Sequence, residues 1–176
     1  MDFHAVLETV SGFLEEKGIR YAVIGGVALA SYGFFRQTVD FDFVVEASIR
    51  EDLISFMESL GYKTLERSSG YSVHEHPNQA WGHVDFLYVK PETGEEIFGS
   101  SRLGPGPRGV EIPLPKPEHL IAMKVLAIKN NPSRAFQDMA DIRFLLTLPG
   151  VDRQESRGYF ERHGMGERFD EIEKWP

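Results

Sequence analysis

Apolar side chains recur along the chain at two spacings, one typical of helices and the other typical of strands. Helical spacing, together with cap and proline signals, predicts helices over residues 3–14, 49–60, 118–129 and 132–148. Dense runs of β-branched and aromatic residues predict strands over residues 20–24, 38–45, 62–65, 71–75 and 83–89. A further short helix, residues 27–32, is separated from the first strand only by Gly25 and Gly26. Interleaved helices and strands of this kind predict an α+β fold in which helices flank a mixed β-sheet.

Residues that start, stop or interrupt regular structure refine these boundaries. Ser48 and Glu51 form a capping-box pattern ahead of one predicted helix. Residues 91–117 hold six of the ten prolines, so we expect this stretch to be a loop-rich edge of the sheet. The last 26 residues alternate acids and bases, which is typical of solvated helix that partly caps a core. We therefore expect one domain over residues 1–150 and a C-terminal helical extension, residues 151–176, packed on that domain.

Composition and charge exclude several classes of function. The chain has 176 residues, of which 41% are hydrophobic, enough for one core of ordinary domain size. It contains no cysteine, which excludes disulfide frameworks, thiolate zinc sites, iron–sulfur clusters and cysteine nucleophiles. With 19 Lys and Arg against 27 Asp and Glu, its net charge of −8 argues against a duplex DNA partner. The acidic N-terminus and the lack of any apolar run near about 20 residues predict a cytoplasmic protein with no membrane partner.

Two aspartates inside the second predicted strand are the first candidates for chemistry. Asp40 and Asp42 are separated by one residue, so in a strand both carboxylates point to the same face of the sheet. Adjacent carboxylates repel each other unless a cation compensates them, and oxygen ligands of this type suit Mg²⁺ or Mn²⁺. The alternative is a strand edge on which both carboxylates are solvated, which the dense apolar flanks disfavour.

A third aspartate, Asp85, lies inside the apolar strand predicted over residues 83–89. If this strand lies beside the strand of Asp40 and Asp42, three carboxylates converge on one place. Three such groups can hold two divalent ions about 4 Å apart, the arrangement that assists phosphoryl transfer. Taken alone, Asp85 could instead be the partner of a nearby histidine or arginine.

The glycine pair Gly25-Gly26 stands between a predicted strand and a predicted helix. Glycines at such a position let the backbone approach a ligand closely, and free N–H groups at the start of a helix favour an anion such as phosphate. On its own, such a pair more often marks an ordinary tight turn. Its position ahead of Asp40 and Asp42 favours the phosphate-binding interpretation.

Together these segments resemble a known family. The motifs that carry the resemblance are the glycine pair Gly25-Gly26, Arg36-x-Thr38, Asp40-x-Asp42 and Asp85. They are similar to motifs of the nucleotidyltransferase fold of the DNA polymerase β superfamily. Within it, the chain most resembles the small prokaryotic enzymes related to AbiEii-type toxin nucleotidyltransferases and to antibiotic nucleotidyltransferases. The resemblance covers residues 20 to about 147 and departs at the glycine turn, where many members have Gly-Ser.

The resemblance implies a role for each matched residue. In that family the first two aspartates bind both metal ions, and the third binds one ion and helps to deprotonate the acceptor hydroxyl. By match, these metal-binding and catalytic roles fall to Asp40, Asp42 and Asp85, and the triphosphate is held by Gly25 and Gly26. The resemblance therefore implies an enzyme that uses Mg²⁺ or Mn²⁺ to transfer a nucleoside monophosphate from a nucleoside triphosphate to a hydroxyl, with release of pyrophosphate.

Two basic residues are further candidates for contacts with the nucleotide. Lys124 lies at the centre of an apolar helical face, where its ammonium group meets either a nucleotide phosphate or an ion-pair partner, Asp138 or Asp141. Arg36, four residues before Asp40, could reach a phosphate or a nucleobase, or pair with an acid. The resemblance favours the nucleotide as the partner of Arg36.

The acceptor stays open, and so does a different class of function. The acceptor hydroxyl could belong to a small molecule, a tRNA end or a protein. A non-catalytic nucleotidyltransferase-like module, acting in a toxin–antitoxin pair or as a nucleotide-binding regulator, is the main alternative, which the three aspartates disfavour. A glycosyltransferase also uses Asp-x-Asp, but there the motif usually closes a strand at a loop, whereas Phe43, Val44 and Val45 continue the apolar run. A cognate toxin–antitoxin partner is the protein partner that the resemblance implies.

Overall fold

The computed structural model describes residues 1–175 and divides into two compact units, the first spanning Met1–Pro115 and the second beginning at Lys116. The helices and strands of the first unit are α1 (Phe3–Glu16), β1 (Tyr21–Val23), α2 (Gly25–Ser31), β2 (Asp40–Glu46), α3 (Arg50–Ser59), β3 (Lys63–Arg67), β4 (Tyr71–Glu75), β5 (His83–Val89), α4 (Pro91–Gly99), β6 (Arg102–Pro105) and β7 (Glu111–Leu114). Those of the second unit are α5 (Pro117–Asn130), α6 (Ala135–Leu145), α7 (Arg153–Arg162) and α8 (Gly166–Ile172). Within residues 1–175, no helix is both long enough and apolar enough to span a lipid bilayer.

A five-stranded mixed sheet forms the centre of the first unit. Its strand order is β1-β2-β5-β4-β3, in which β2 and β5 run parallel and every other neighbouring pair runs antiparallel. The chain leaves β2 through α3 and the hairpin of β3 and β4 before it returns as β5. This arrangement confirms the predicted α+β class with a mixed sheet, and it makes neighbours of the two strands that carry the predicted aspartates.

Aromatic side chains from β2 and β5 fill the core on one face of this sheet. The rings of Phe41 and Phe43 stack with their centroids 4.6 Å apart. Phe86 of β5 stacks on Phe43 at 5.6 Å, and Phe3 of α1 meets Phe41 edge-on at 5.7 Å. Because alternate residues of a strand point to opposite faces, this buried aromatic face fixes the aspartates of β2 and β5 on the other face.

The predicted capping box ahead of α3 is wrong. Ser48 lies inside a 3₁₀ turn, Ala47–Ile49, and α3 begins after this turn at Arg50. The residue at the N-cap position is Ile49, which makes no side-chain capping hydrogen bond. Ile49 is only 5% exposed, so burial of an apolar side chain, and not a hydroxyl cap, accompanies the start of this helix.

The prediction of a loop-rich sheet edge over residues 91–117 is also wrong, in two respects. Pro91 is the first residue of α4. A backbone N–H at this position has no hydrogen-bond acceptor within the helix, so proline loses no helical hydrogen bond there. Ile97 of this helix is buried, and the Arg20 guanidinium lies over the Phe98 ring, 5.4 Å from its centroid. β6 and β7 then form a separate two-stranded antiparallel sheet rather than an edge of the main sheet.

Polar contacts join the helices of the second unit. Lys116 Nζ lies 2.7 Å from Glu155 Oε2 and links the start of α5 to α7. Glu118 Oε1 accepts a hydrogen bond from the backbone N–H of Asp152 at 2.6 Å. The helices predicted over residues 118–129 and 132–148 are confirmed as α5 and α6. The segment predicted as a C-terminal extension belongs with them to the second unit, which begins at Lys116.

A buried histidine in β4 couples the stability of the fold to pH. His74 is fully buried, and its Nε2 lies 2.8 Å from Ser72 Oγ while its Nδ1 lies 3.3 Å from Thr64 Oγ1. Burial lowers the pKa of His74 from 6.5 to about 4. Between these two pH values, the unfolded chain binds a proton at this residue that the folded chain does not bind.

We expect the free energy of unfolding to fall by about 1–2 kcal/mol from pH 6.5 to pH 5, because protonation of His74 stabilises the unfolded state. Urea unfolding measured across this range tests the expectation. His74→Gln should flatten this part of the curve. A His74→Gln variant with the wild-type slope would show that another group carries the pH dependence.

Candidate active site

The register between β2 and β5 brings two of the predicted aspartates side by side. Asp42 pairs with Asp85 across the parallel strands, so both side chains leave the sheet on the same face. Neighbouring strands lie about 4.8 Å apart, a separation at which two ionised carboxylates disfavour each other. The strand adjacency on which a shared site for Asp85 depends is therefore present.

Asp40 extends this acidic face by one row. It lies two residues before Asp42 on β2 and therefore points to the same face, and its register partner on β5 is His83. His83 in turn pairs with Glu75 on β4. The face thus carries a row formed by Asp40, His83 and Glu75 beside the pair of Asp42 and Asp85.

The glycine turn packs directly against Asp42. Gly25, the first residue of α2, has a left-handed φ of +63°, a conformation that costs a residue with a side chain about 1–2 kcal/mol. A Cβ atom at Gly25 would overlap Asp42 Oδ2, so only glycine leaves room for this carboxylate. The backbone N–H of Ile24 donates to the carbonyl of Asp42 at 2.9 Å and ties the turn to β2. The turn and the first acidic strand are therefore one local structure.

Gly26 makes room for the segment that leads into β2. It is buried, and a Cβ atom there would lie 2.6 Å from Cβ and Oγ1 of Thr38, two residues before Asp40. Arg36 belongs to the same segment and is partly buried, and its Nη1 donates to the carbonyl of Gln37 at 3.2 Å. The segment that contains Arg36 and Thr38 therefore packs against the glycine turn just before the chain reaches Asp40.

Lys124 lies in the second unit, where it forms the ion pair that was the alternative to phosphate binding. Its Nζ lies 2.9 Å from Asp138 Oδ1 and 2.5 Å from Asp141 Oδ2. Lys124 is 8% exposed, and the two aspartates are 1% and 0% exposed. Buried carboxylates are strongly destabilising when their cation is removed, so Lys124 has a structural role in this unit. Contact between Lys124 and a nucleotide phosphate stays a prediction.

The acidic face has the ligand chemistry of a divalent-cation site. Asp40, Asp42 and Asp85 are hard oxygen ligands on two neighbouring strands, and Mg²⁺ or Mn²⁺ prefers such ligands. Within residues 1–175, no group of three or more His, Asp or Glu side chains is already arranged to hold an ion. The three carboxylates must therefore turn toward a common point to share a cation, and Mg²⁺ binding stays a prediction.

The sequence analysis assigned no role to two polar residues of this face, His83 and Glu75. His83 Nε2 lies 3.4 Å from Glu75 Oε1. Alternation within β5 could have placed His83 on the face of Asp85, because the two are separated by one residue. Glu75 could not be placed from the sequence, because its position beside His83 depends on the order of the strands.

Solved structures share this fold, although no curated protein sequence matches the chain. The solution structure of the antibiotic-resistance factor ANT(2'')-Ia superimposes with a TM-score of 0.69 at 18% sequence identity, covering 98% of this chain and 97% of that chain. The crystal structure of ANT(2'')-Ia in complex with adenylyl-2''-tobramycin gives 0.68 at 16% identity, covering 91% and 95%. The lincomycin-bound lincosamide antibiotic adenylyltransferase LnuA gives 0.53 at 18% identity, covering 81% and 96%. At these identities the likeness shows a shared nucleotidyltransferase fold.

Family membership follows from the sequence itself. The family model described as "Nucleotidyl transferase AbiEii toxin, Type IV TA system" matches residues 12–175, nearly the whole chain. The match includes the glycine turn and both strands that carry the aspartates, and it confirms the resemblance expected from the sequence motifs. The chain belongs to the AbiEii family of nucleotidyltransferases.

Proposed function

We propose that the chain is a Mg²⁺-dependent enzyme that transfers a nucleoside monophosphate from a nucleoside triphosphate to an acceptor hydroxyl. One observation carries the proposal: Asp42 and Asp85 are register partners on parallel strands, and Asp40 shares their face. An acidic face beside a glycine turn combines the two things that this reaction needs, a place for phosphates and oxygen ligands for cations. Family membership supports the same class of reaction.

The glycine turn is proposed to hold the triphosphate. Gly25 and Gly26 have no side chains, so phosphate oxygens can approach the backbone N–H groups of the turn closely. Arg36, on the segment that leads into β2, adds a positive charge that can bind phosphate oxygens. With the β- and γ-phosphates at the turn, the α-phosphate would lie over Asp42, because Asp42 packs against Gly25.

The three aspartates are proposed to hold the cation. A Mg²⁺ or Mn²⁺ ion held by these carboxylates would neutralise the charge on the phosphate oxygens and would favour loss of the proton from the attacking hydroxyl. Asp42 and Asp85 have fixed backbone positions, since the opposite face of their strands is anchored by buried residues such as Phe41 and Phe86. A rigid frame matters because a misplacement of about 1 Å can slow such a reaction about 100-fold.

Asp85 is proposed to assist the attacking hydroxyl. It lies on β5, one strand further from the glycine turn than Asp42, so it can accept the hydroxyl proton while the phosphates stay at the turn. The acceptor oxygen forms a bond to the α-phosphorus as the bond to the bridging oxygen of pyrophosphate breaks. The products are the nucleotidylated acceptor, pyrophosphate and the proton released from the hydroxyl.

The biological setting is proposed from the family. The family description names a toxin of a type IV toxin–antitoxin system, so we propose that the chain acts as the toxin of such a system, together with a cognate antitoxin. The acceptor hydroxyl belongs to a small molecule, a tRNA end or a protein. A non-catalytic, nucleotide-binding role in the same system is the alternative that an experiment must separate from catalysis.

A transfer assay with the purified chain tests the proposal. The chain is incubated with each of the four nucleoside triphosphates, labelled at the α-phosphate, together with Mg²⁺ and one of three acceptors: tobramycin, total tRNA or the chain itself. We expect label on one of these acceptors and an equal amount of released pyrophosphate, with both lost in EDTA and restored by added Mg²⁺. Calorimetric binding of a triphosphate without transfer to any acceptor would support the non-catalytic role. Transfer that persists in EDTA would contradict metal dependence.

A further inference from the structure

The outer edge of β6 carries backbone groups that no strand covers. β6 and β7 form a sheet of only two strands, so one edge of β6 has no neighbour in that sheet. The N–H of Gly106 donates to the carbonyl of Val110 at 2.7 Å, which makes these two residues hydrogen-bonded partners. Because bonded and non-bonded partners alternate along an antiparallel pair, Leu103 and its partner Pro113 are not bonded to each other. The N–H and C=O groups of Leu103 therefore point away from β7, and within residues 1–175 no backbone group outside this sheet bonds to them.

A groove with mainly apolar walls adjoins Leu103. Its volume is about 310 Å³, and it is formed by the start of β1, the end of α4 and the two strands β6 and β7. Tyr21, Phe98 and Pro113 line it together with Leu103, whose own exposure is 62%. An exposed apolar side chain beside unpaired backbone is a combination that edge strands usually avoid, because it invites pairing with another chain.

Arg102 places a positive charge on the wall of this groove. Its guanidinium carbon lies 4.6 Å from the centroid of the Tyr32 ring, and within residues 1–175 it forms no ion pair. Arg20, the second arginine of the groove, is already paired with Glu46 at 2.5 Å and with Glu95 at 2.7 Å. The chain has 27 Asp and Glu against 19 Lys and Arg, yet none of these carboxylates pairs with Arg102. The planar N–H donors of Arg102 therefore suit a carboxylate supplied by a partner.

We propose that the outer edge of β6 binds an extended segment of a protein partner, in which a carboxylate side chain lies close to an apolar one. The segment adds a third strand to the sheet of β6 and β7. Its backbone pairs with the N–H and C=O groups of Leu103, its carboxylate binds Arg102, and its apolar side chain enters the groove. In this mode of recognition the backbone pairing supplies affinity, while the charge and the groove supply selectivity.

This edge is separate from the acidic face of β2 and β5. Ser31, the last residue of α2, has its Oγ 2.6 Å from the carbonyl oxygen of Pro105 in β6. The other end of α2 is Gly25, which packs against Asp42. The 7 residues of this helix separate its two ends by about 10 Å. A partner strand on β6 therefore leaves the candidate active site open, and the proposal does not depend on the reaction proposed for that site.

Selection from a phage-displayed library of random heptapeptides tests this proposal. The library is selected on the wild-type chain, on Arg102→Gln and on the control Arg67→Gln, which makes the same change at an exposed residue of β3. We expect the wild-type chain and the control to enrich peptides that combine Asp or Glu with apolar residues. The most enriched peptide, once synthesised, should bind Arg102→Gln about tenfold more weakly than the wild-type chain, the usual effect of losing a charged hydrogen bond. Its affinity for Arg67→Gln should stay within about twofold of the wild-type value.

Amide hydrogen exchange shows whether the peptide pairs with the backbone of β6. The bound peptide should slow exchange of the Leu103 N–H at least about tenfold, because that group would then donate to a peptide carbonyl. The proposal is overturned by no enrichment on the wild-type chain, by equal affinity for Arg102→Gln, by enriched peptides without a carboxylate, or by unchanged exchange at Leu103. Sedimentation of the chain alone excludes or reveals self-pairing: a dimer in which the Leu103 N–H is protected would assign this edge to a second copy and would also overturn the proposal.

Discussion

The Asp42→Asn variant is expected to transfer nucleotide at least about 10³-fold more slowly than the wild-type chain. Asparagine keeps the size of the side chain but removes the charge that would help to hold a cation between β2 and β5. Asp42 also packs against Gly25, so this one carboxylate adjoins both the proposed cation site and the proposed phosphate turn. Steady-state kinetics with an α-labelled triphosphate should show the loss mainly in kcat.

Asp52→Asn is the matched control for this variant. Asp52 is an exposed aspartate in the first turn of α3, so the same chemical change there should leave kcat within about twofold of the wild-type value. Thermal unfolding of both variants establishes that each is folded at the assay temperature. If Asp42→Asn retained transfer within tenfold of the wild-type rate, the proposed role of this carboxylate would be wrong.

Gly25→Ala is expected to lower the free energy of unfolding by about 2–4 kcal/mol and to abolish triphosphate binding. An alanine at this position must adopt a φ of +63°, and its Cβ would overlap Asp42 Oδ2. Relief of that overlap requires either the turn or the Asp42 side chain to move, and both belong to the proposed site. Urea unfolding measures the first effect, and calorimetric titration with a triphosphate analogue measures the second.

Gly12→Ala provides the control, because a Cβ atom at Gly12 in α1 would meet no atom within 4 Å. We expect this change to stabilise the chain by up to about 1 kcal/mol, since alanine is the better helix former. A Gly25→Ala variant as stable as the wild-type chain would contradict the turn geometry. A destabilised variant that still bound triphosphate normally would contradict the role of the turn in holding phosphates.

Local sequence pattern predicts the elements whose side-chain periodicity is strong. β5 spans the predicted residues 83–89, and α1 extends the prediction over residues 3–14 by two residues. Both elements have one continuous apolar face, so the position of each side chain is set by its neighbours along the chain. The α+β class follows from such elements before any contact between them is known.

Elements with weak local signals depend on tertiary packing and are missed. α4 begins with Pro91 and contains Gly94, two residues that ordinarily mark loops. Gly94 is buried, and a Cβ atom there would lie 3.2 Å from the Phe98 ring, so this glycine allows close packing inside a helix. Ser48 fails as a cap for a related reason, since the chain enters α3 through a turn that buries Ile49.

Some features of the candidate site likewise follow from local sequence pattern, and others depend on tertiary packing. That Asp40 and Asp42 share a face follows from their spacing alone. That Asp85 lies beside Asp42 depends on the strand order β1-β2-β5-β4-β3, which no local pattern contains. The partner of Lys124 could not be chosen from the sequence, because the choice depends on how α5 and α6 pack.

We expect the acidic face of β2 and β5 to bind a cation and a triphosphate together. Anomalous diffraction from crystals of the chain grown with Mn²⁺ and an α,β-methylene triphosphate would locate both ligands. We predict a Mn²⁺ ion within about 2.2 Å of carboxylate oxygens from both Asp42 and Asp85, with the phosphates against Gly25 and Gly26. Mn²⁺ and the analogue bound elsewhere on the chain, or a Mn²⁺ ion that neither of these two carboxylates contacts, would contradict it.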